Sequence, residues 1–218
     1  MRKLAWLAVV VAAVAAGCGG GSSGPPKALL HPDTLHRKAP QLFDVTFHTT
    51  KGDFVIEVHR TWAPTGADRM YNLARNHFFD GQKFFRVVKN FVVQFGINGD
   101  PKVSEAWSEA TIPDDVITVH NTRGTVSFAA AGPNTRTTQI FINLNNNLQL
   151  DTDQFAPFGT VKSGMDVVER LYGGYGDRPT PHQPEMASQG NAYLEKAWPK
   201  LDSVTSTEVT HERSPALP

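Results

Sequence analysis

One cysteine cannot close an intramolecular disulfide, and here the only one, Cys18, lies ahead of everything that reads as folded. The sequence also lacks an apolar run of about twenty residues, the length a bilayer span requires. Its longest such run, Leu4–Ala16, has thirteen residues. Neither sign of charge is in excess, with 21 basic and 21 acidic side chains. With no basic run and no aromatic-interleaved basic patch, nucleic acid is not an expected partner. The eight histidines are scattered without ligand-like spacing, so no metal is expected, and no cofactor motif is present. His120 falls near the site segments described below but reads as a surface or loop histidine.

What stands at the N-terminus is a targeting signal. Met1-Arg2-Lys3 is a basic start, Leu4–Ala16 is too short to anchor the chain, and Ala15-Ala16-Gly17-Cys18 supplies small residues before the cysteine. This end resembles a bacterial lipobox, although leucine is usual where Ala15 stands. In such signals the cysteine becomes the lipidated first residue of the mature protein. The resemblance implies a signal peptide over residues 1–18, lipid on Cys18, and membrane attachment through that lipid in the extracytoplasmic space of a bacterial envelope. The competing reading is an ordinary cleaved secretory peptide with an incidental cysteine. Residues 19–40 open Gly-Gly-Gly-Ser-Ser-Gly-Pro-Pro and read as a flexible tether without helix or strand. One folded domain is expected over residues 41–211, followed by a short frayed tail at 212–218.

Within the domain, Phe43–Thr49 alternates at period two, Lys51-Gly52-Asp53 turns, and Phe54–Val58 returns, which reads as a β-hairpin. Helical spacing follows over Ala67–Asn76 and again over Ser163–Leu171, with a further helix expected over Asn191–Ala197. Residues 96–118 read as a surface excursion, and Pro179–Pro184 as a loop. Many short strands with only two clear helices indicate a mainly β barrel or sandwich.

Two segments mix aromatic with hydrogen-bonding side chains: Phe84–Gly96 (FFRVVKNFVVQFG) and Ser127–Ile142 (SFAAAGPNTRTTQIFI). A guanidinium is not buried unpaired, so Arg86 among phenylalanines and valines needs an ion-pair partner or a polar role at a cleft. The commoner fate of such an arginine is a packed stem with a wet head. Alternation puts Phe84, Arg86 and Val88 on one strand face, and Gln139 with Phe141 on another. Apolar anchors beside a few hydrogen-bonding groups make the composition of a small-ligand or peptide pocket. Regular alternation would leave Phe91 opposite Val92 and Gln94, so a bend at Lys89-Asn90 is expected if Phe91 is to share their site.

These residues resemble the cyclophilin family of peptidyl-prolyl cis/trans isomerases. The likeness runs from about Phe43 to Val209 through Phe79-Asp80-Gly81, Phe84–Val88, Phe91–Gln94, Ala131–Thr135 with Gln139–Ile142, and Phe158-Gly159. It implies a closed eight-stranded antiparallel β-barrel capped by two α-helices, acting as a monomer on proline-containing polypeptides, without a cofactor. Arg86 matches the catalytic arginine, with Gln94 and Gln139 as hydrogen-bonding residues beside it. Phe91, Phe128 and Phe141 match the floor and walls of the proline pocket, Val92 is a further substrate-binding residue, and Leu150 is the other candidate, beside Gln149, for a rim position. Ala129 and Ala130 match the edge along which substrate backbone lies, and Phe155 a rim position. Departures lie at Lys89-Asn90, Phe95-Gly96-Ile97, Arg136-Thr137-Thr138, and Gln149, which stands where an aromatic residue commonly precedes Leu-Asp. The expected activity is arginine-assisted twisting of the prolyl amide in exported polypeptides. The alternative is a proline-peptide-binding chaperone or assembly factor with little turnover.

Overall fold

The computed structural model describes residues 26–213, so Cys18 and the signal segment lie outside the described residues. The hairpin of β1 (Leu42–Thr49) and β2 (Gly52–His59) pairs antiparallel about its turn, Thr49 opposite Gly52. Alternation along it buries Phe43, Val45 and Phe47 of one strand and Phe54, Ile56 and Val58 of the other. The rings of Phe47 and Phe54 stack at 4.9 Å.

Six further strands follow: β3 (Arg86–Val88), β4 (Val92–Phe95), β5 (Thr125–Phe128), β6 (Ile140–Asn143), β7 (Pro157–Ser163) and β8 (Val204–Arg213). They form one curled antiparallel sheet in the order β3-β4-β6-β5-β7-β2-β1-β8. The strand number and direction are those expected, but among the described residues no ladder joins β3 to β8. The two ends meet at the single bridge Lys83–Ser203, with the Phe84 N–H donating to the Asp202 carbonyl at 3.0 Å. The reason is local: β3 is three residues long, because Phe84 and Phe85 turn into separate apolar clusters before it begins.

Helix α1 (Pro64–Arg75) and the short α4 (Met165–Glu169) pack near opposite ends of the first hairpin. Arg60, just past β2, binds Asp68 of α1 at 2.8 Å, whereas Val167 of α4 packs against Gly52 at the turn. α1 buries Ala67, Met70, Tyr71, Leu73 and Ala74 in the core. Its N-cap, Ala63, has no capping side chain. Asp115 takes over that role from a distant loop, accepting from the Thr65 and Gly66 N–H groups at 2.9 and 2.8 Å.

Three readings of the chain are corrected. Residues 96–118 contain α2 (Pro101–Trp107), capped by the Asp100 carboxylate and burying Val103 and Trp107. From Lys27 onward the supposed tether is structured: it forms 3-10 turns at Lys27–Leu30 and Pro32–Thr34, and Leu29 is buried. An indole N–H taken from water needs an acceptor, and Trp107 donates to the Leu29 carbonyl at 2.9 Å. Asn72 and Asp68 of α1 then accept from the N–H groups of Arg37 and Ala39. At the other end, β8 includes Glu212 and Arg213, and Glu212 accepts from Tyr71 at 3.0 Å and Arg75 at 2.6 Å.

The final helical segment, α5 (Gln183–Ala197), is twice the expected length because a second helical stretch precedes Asn191. The two stretches join at Gly190, whose φ of 62° and ψ of −149° break the helix. A Cβ there would lie 2.1 Å from the Gly99 carbonyl oxygen, so only glycine lets α5 cross this close to the loop before α2.

Candidate functional site

β3, β4 and β6 place the site. Their register sets Arg86 opposite Gln94, and Gln94 opposite Phe141. The bend expected at Lys89-Asn90 is a turn with Asn90 at φ 59°, a left-handed conformation that asparagine tolerates. It swings Phe91 into the same groove as Val92 and Gln94. The groove encloses about 250 Å³, and Arg86, Phe91, Val92, Gln94 and Phe141 line its sheet side. Ala129, Ala130, Leu150 and Phe155 line a second side, and Thr180 and Gln183 complete it. Its floor is a small apolar cluster separate from the main core, built on Val92, Phe141 and Leu150. The Phe155 ring stands edge-on to Phe141 at 5.5 Å, and the Arg86 guanidinium lies 5.6 Å from the Phe91 ring.

Beside the apolar floor runs a row of polar side chains. Arg86 Nη1 donates to Gln94 Oε1 at 3.0 Å, and Gln94 Nε2 to Gln139 Oε1 at 2.9 Å. Gln139 Nε2 donates in turn to Gln183 Oε1 at 2.8 Å. The largely buried Gln94 amide is thereby satisfied through both its oxygen and its nitrogen. Gly96 makes the row possible: a Cβ there would lie 2.5 Å from the Gln139 Cα, and its φ is 116°. Arg69 of α1 donates to the Ala110 and Thr137 carbonyls, which steadies the strand leading to Gln139. Burial lowers the Arg69 pKa to about 10, so it stays charged at neutral pH.

The other wall hangs on α3 (Gln149–Thr152). Asn121 donates its N–H and its side-chain amide to Asp151, and that amide also donates to the Phe155 carbonyl. His120 Nδ1 lies 2.8 Å from the same carboxylate on an exposed ring. Burial opposes ionisation of Asp151, but the bonds from Asn121 and His120 outweigh it and hold the carboxyl below its ordinary pKa.

Three placements differ from the sequence reading. Phe128 is in the main core, 5.0 Å from Phe158, and not in the groove. β5 ends at Phe128, its alternation keeps Val126 and Phe128 inside, and the chain opens to the groove only at Ala129. Phe84 likewise sits in the core, 4.8 Å from Phe95, and does not share a face with Arg86, since the strand begins at Arg86 itself. Gln139 stands behind Gln94 rather than on the lining. At the rim, Leu150 faces the groove while Gln149 is exposed.

Three residues were missed: Asp177, Thr180 and Gln183. Asp177 Oδ1 accepts from Arg86 Nε at 2.5 Å, and Thr180 and Gln183 line the groove. The need of a lone arginine for a partner was readable; which of 21 acidic residues would supply it was not.

A family model for cyclophilin type peptidyl-prolyl cis-trans isomerase/CLD matches residues 44–189. The chain belongs to this family. Among its cyclophilin relatives, peptidyl-prolyl cis-trans isomerase-like 1 of Emericella nidulans is 34% identical over 133 residues, covering 59% of this chain and 80% of the relative. The peptidyl-prolyl cis-trans isomerase of Acinetobacter baylyi is 33% identical over 133 residues, covering 58% and 70%. The crystal structure of a Cryptosporidium parvum cyclophilin superposes with a TM-score of 0.58 at 18% identity, covering 79% of this chain and 99% of that one. The same cyclophilin crystallised in the presence of the dipeptide Ala-Pro gives 0.57.

Phe141 couples this cyclophilin groove to the fold, being 5% exposed and paired with both Gln94 and Phe155. Phe141→Ala is expected to cost about 3–5 kcal/mol of stability and to weaken binding of proline peptides. A variant with the wild-type denaturation midpoint and affinity would remove Phe141 from the floor.

Proposed function

We propose that the groove accelerates cis/trans isomerisation of prolyl bonds in polypeptides outside the cytoplasmic membrane. The observation that carries this reading is a charged donor, Arg86, held by Gln94 at the side of a groove lined by apolar side chains. Rotation about a peptide bond must break C–N resonance, with a barrier of about 18–20 kcal/mol. No bond to the protein is needed. Phe91, Val92, Phe141 and Leu150 hold the proline ring, and the edge at Ala129 and Ala130 holds the neighbouring backbone, so rotation takes place in a fixed geometry. As the amide twists, its nitrogen becomes pyramidal and gains a lone pair. Arg86 donates to that nitrogen or to the adjoining carbonyl, and the contact is stronger in the twisted state than in either planar one. Gln94 and Gln139 hold the guanidinium side of the socket.

The test is a proline-peptide isomerisation assay on the full chain, purified in detergent. Acceleration over the spontaneous rate is expected, whereas binding without acceleration is the signature of a proline-peptide chaperone. The same assay reads the rim. Cyclosporin binds the pocket and rim of sensitive cyclophilins; the aromatic ring that commonly precedes Leu-Asp at that rim is absent here, where Gln149 is exposed and the smaller Leu150 faces the groove. Losing such burial costs about 1.5–3 kcal/mol, so inhibition is expected to be at least about tenfold weaker than for a tryptophan-bearing member. Tight inhibition of the unmodified chain would show that the rim is unchanged in function.

The site of action rests on Cys18. Among the described residues no helix is long and apolar enough to cross a membrane. Lipid on Cys18 would supply the attachment. Cys18→Ser is expected to abolish fatty-acid labelling and to leave the protein soluble or with its signal segment uncleaved. Equal retention of variant and wild type would place the anchor elsewhere.

A further inference from the structure

Arg86 is held by two side chains, and only one of them comes from the groove strands. Nη1 donates to Gln94 Oε1 at 3.0 Å, while Nε donates to Asp177 Oδ1 at 2.5 Å. Asp177 is 91 residues further along, in the segment joining α4 to α5. Thr180 Oγ1 donates to the same carboxylate oxygen at 3.0 Å and so fixes its position. At the far end of the polar row, Gln183, the first residue of α5, accepts from Gln139. The short stretch from Asp177 to Gln183 therefore closes the row Arg86, Gln94, Gln139 at both ends.

A guanidinium bonded only through Nη1 can swing about that bond. A second acceptor on another edge of the planar fork fixes its plane. With Nε and Nη1 engaged, Nη2 is the nitrogen left without an acceptor among the described residues. The geometry points to Asp177 as a positioning residue for prolyl isomerisation, its carboxylate fixing the plane of the Arg86 guanidinium so that Nη2 is presented to the twisting amide. This inference rests on the role proposed above for Arg86.

The opposite effect, in which the carboxylate withholds the arginine from substrate, would need its charge to act strongly. The Asp177 side chain is 63% exposed. Water and salt screen such a charge, whereas the orientation imposed by a hydrogen bond is not screened. Exposure also means that the pair contributes little to folding, so its removal leaves the fold intact.

The experiment compares full-length wild type, Asp177→Ala, Asp177→Asn, Asp177→Glu and Arg86→Ala in the isomerisation assay, with melting temperatures alongside. Asp177→Ala is expected to lower kcat by about tenfold, or about 1.4 kcal/mol of barrier, with KM and melting temperature nearly unchanged. Asp177→Asn keeps an acceptor oxygen and should fall between. Asp177→Glu restores the carboxylate from an exposed loop and should recover most of the rate. An unchanged kcat in Asp177→Ala overturns the proposal, as does a raised one, or a loss that follows the melting temperature. If wild type gives no acceleration, or Arg86→Ala keeps the full rate, the reading of Arg86 fails and this inference falls with it. If Arg86→Ala loses the rate and Asp177→Ala keeps it, only the positioning role is lost.

Discussion

Arg86→Ala is expected to lower kcat for a proline peptide by about a hundredfold or more, the loss typical of removing a preorganised donor, while KM stays nearly constant. The asymmetry follows from the composition of the groove. The apolar lining that the proposed mechanism assigns to ground-state binding, Phe91, Val92, Phe141, Leu150 and Phe155, is left in place by the substitution. In the proposed mechanism the guanidinium contact strengthens as the amide twists, so its loss should appear in kcat and equally in kcat/KM. Arg86→Lys should rescue little. Arg86 uses Nε toward Asp177 and Nη1 toward Gln94 at once, and a single ammonium on a flexible stem cannot reproduce that fork. Full activity in a folded Arg86→Ala protein would refute the mechanism.

A loss of stability as large as that expected at Phe141 lies outside the groove, at Arg136, which is 2% exposed. Its Nη1 lies 3.2 Å from Asp115, its Nη2 donates to the Pro113 carbonyl, and its Nε lies 3.0 Å from Asp114. The Nε contact is ionic and misaligned for a hydrogen bond, leaving that N–H unpaired. Asp115 in turn caps α1 through the Thr65 and Gly66 N–H groups. Arg136→Ala would therefore leave a buried carboxylate without its counter-ion at the start of a helix that closes the core. Breaking such a pair costs about 3–5 kcal/mol, which for a domain of this size lowers Tm by roughly 6–20 °C. Asp115→Asn in the Arg136→Ala background should cost less than the sum of the single changes, because the stranded charge is gone. A Tm within a degree or two of wild type would show that the cluster is idle.

Arg136 also illustrates what could and could not be read from the sequence. Its departure from the family pattern was visible, but its partners lie 21 and more residues away in a loop with no periodicity of its own. The strands were legible because alternation is local: Phe43–Phe47 and Phe54–Val58 fold as their pattern requires. Parity, however, holds only within a strand. Phe84 and Phe128 were misplaced because β3 begins two residues after the one and β5 ends at the other. Helix α2 carried a usable signal, Asp100-Pro101 as cap and first residue, which the polar composition around it obscured. The approach of Asp177 and Gln183 to the groove left no local trace, since their partners Arg86 and Gln139 lie 91 and 44 residues earlier in the chain.

The central claim is that this groove both holds a prolyl bond and, through Arg86, speeds its rotation. NMR exchange spectroscopy of a proline peptide tests both parts in one sample, because binding shifts the peptide signals while catalysis exchanges its cis and trans populations. With the wild-type chain at substoichiometric concentration, cis–trans exchange peaks should appear on a timescale far shorter than the tens of seconds of the free peptide. With Arg86→Ala at the same concentration the shifts should persist and the exchange peaks should vanish. Shifts without exchange in the wild type, or equal exchange in both proteins, would contradict the account.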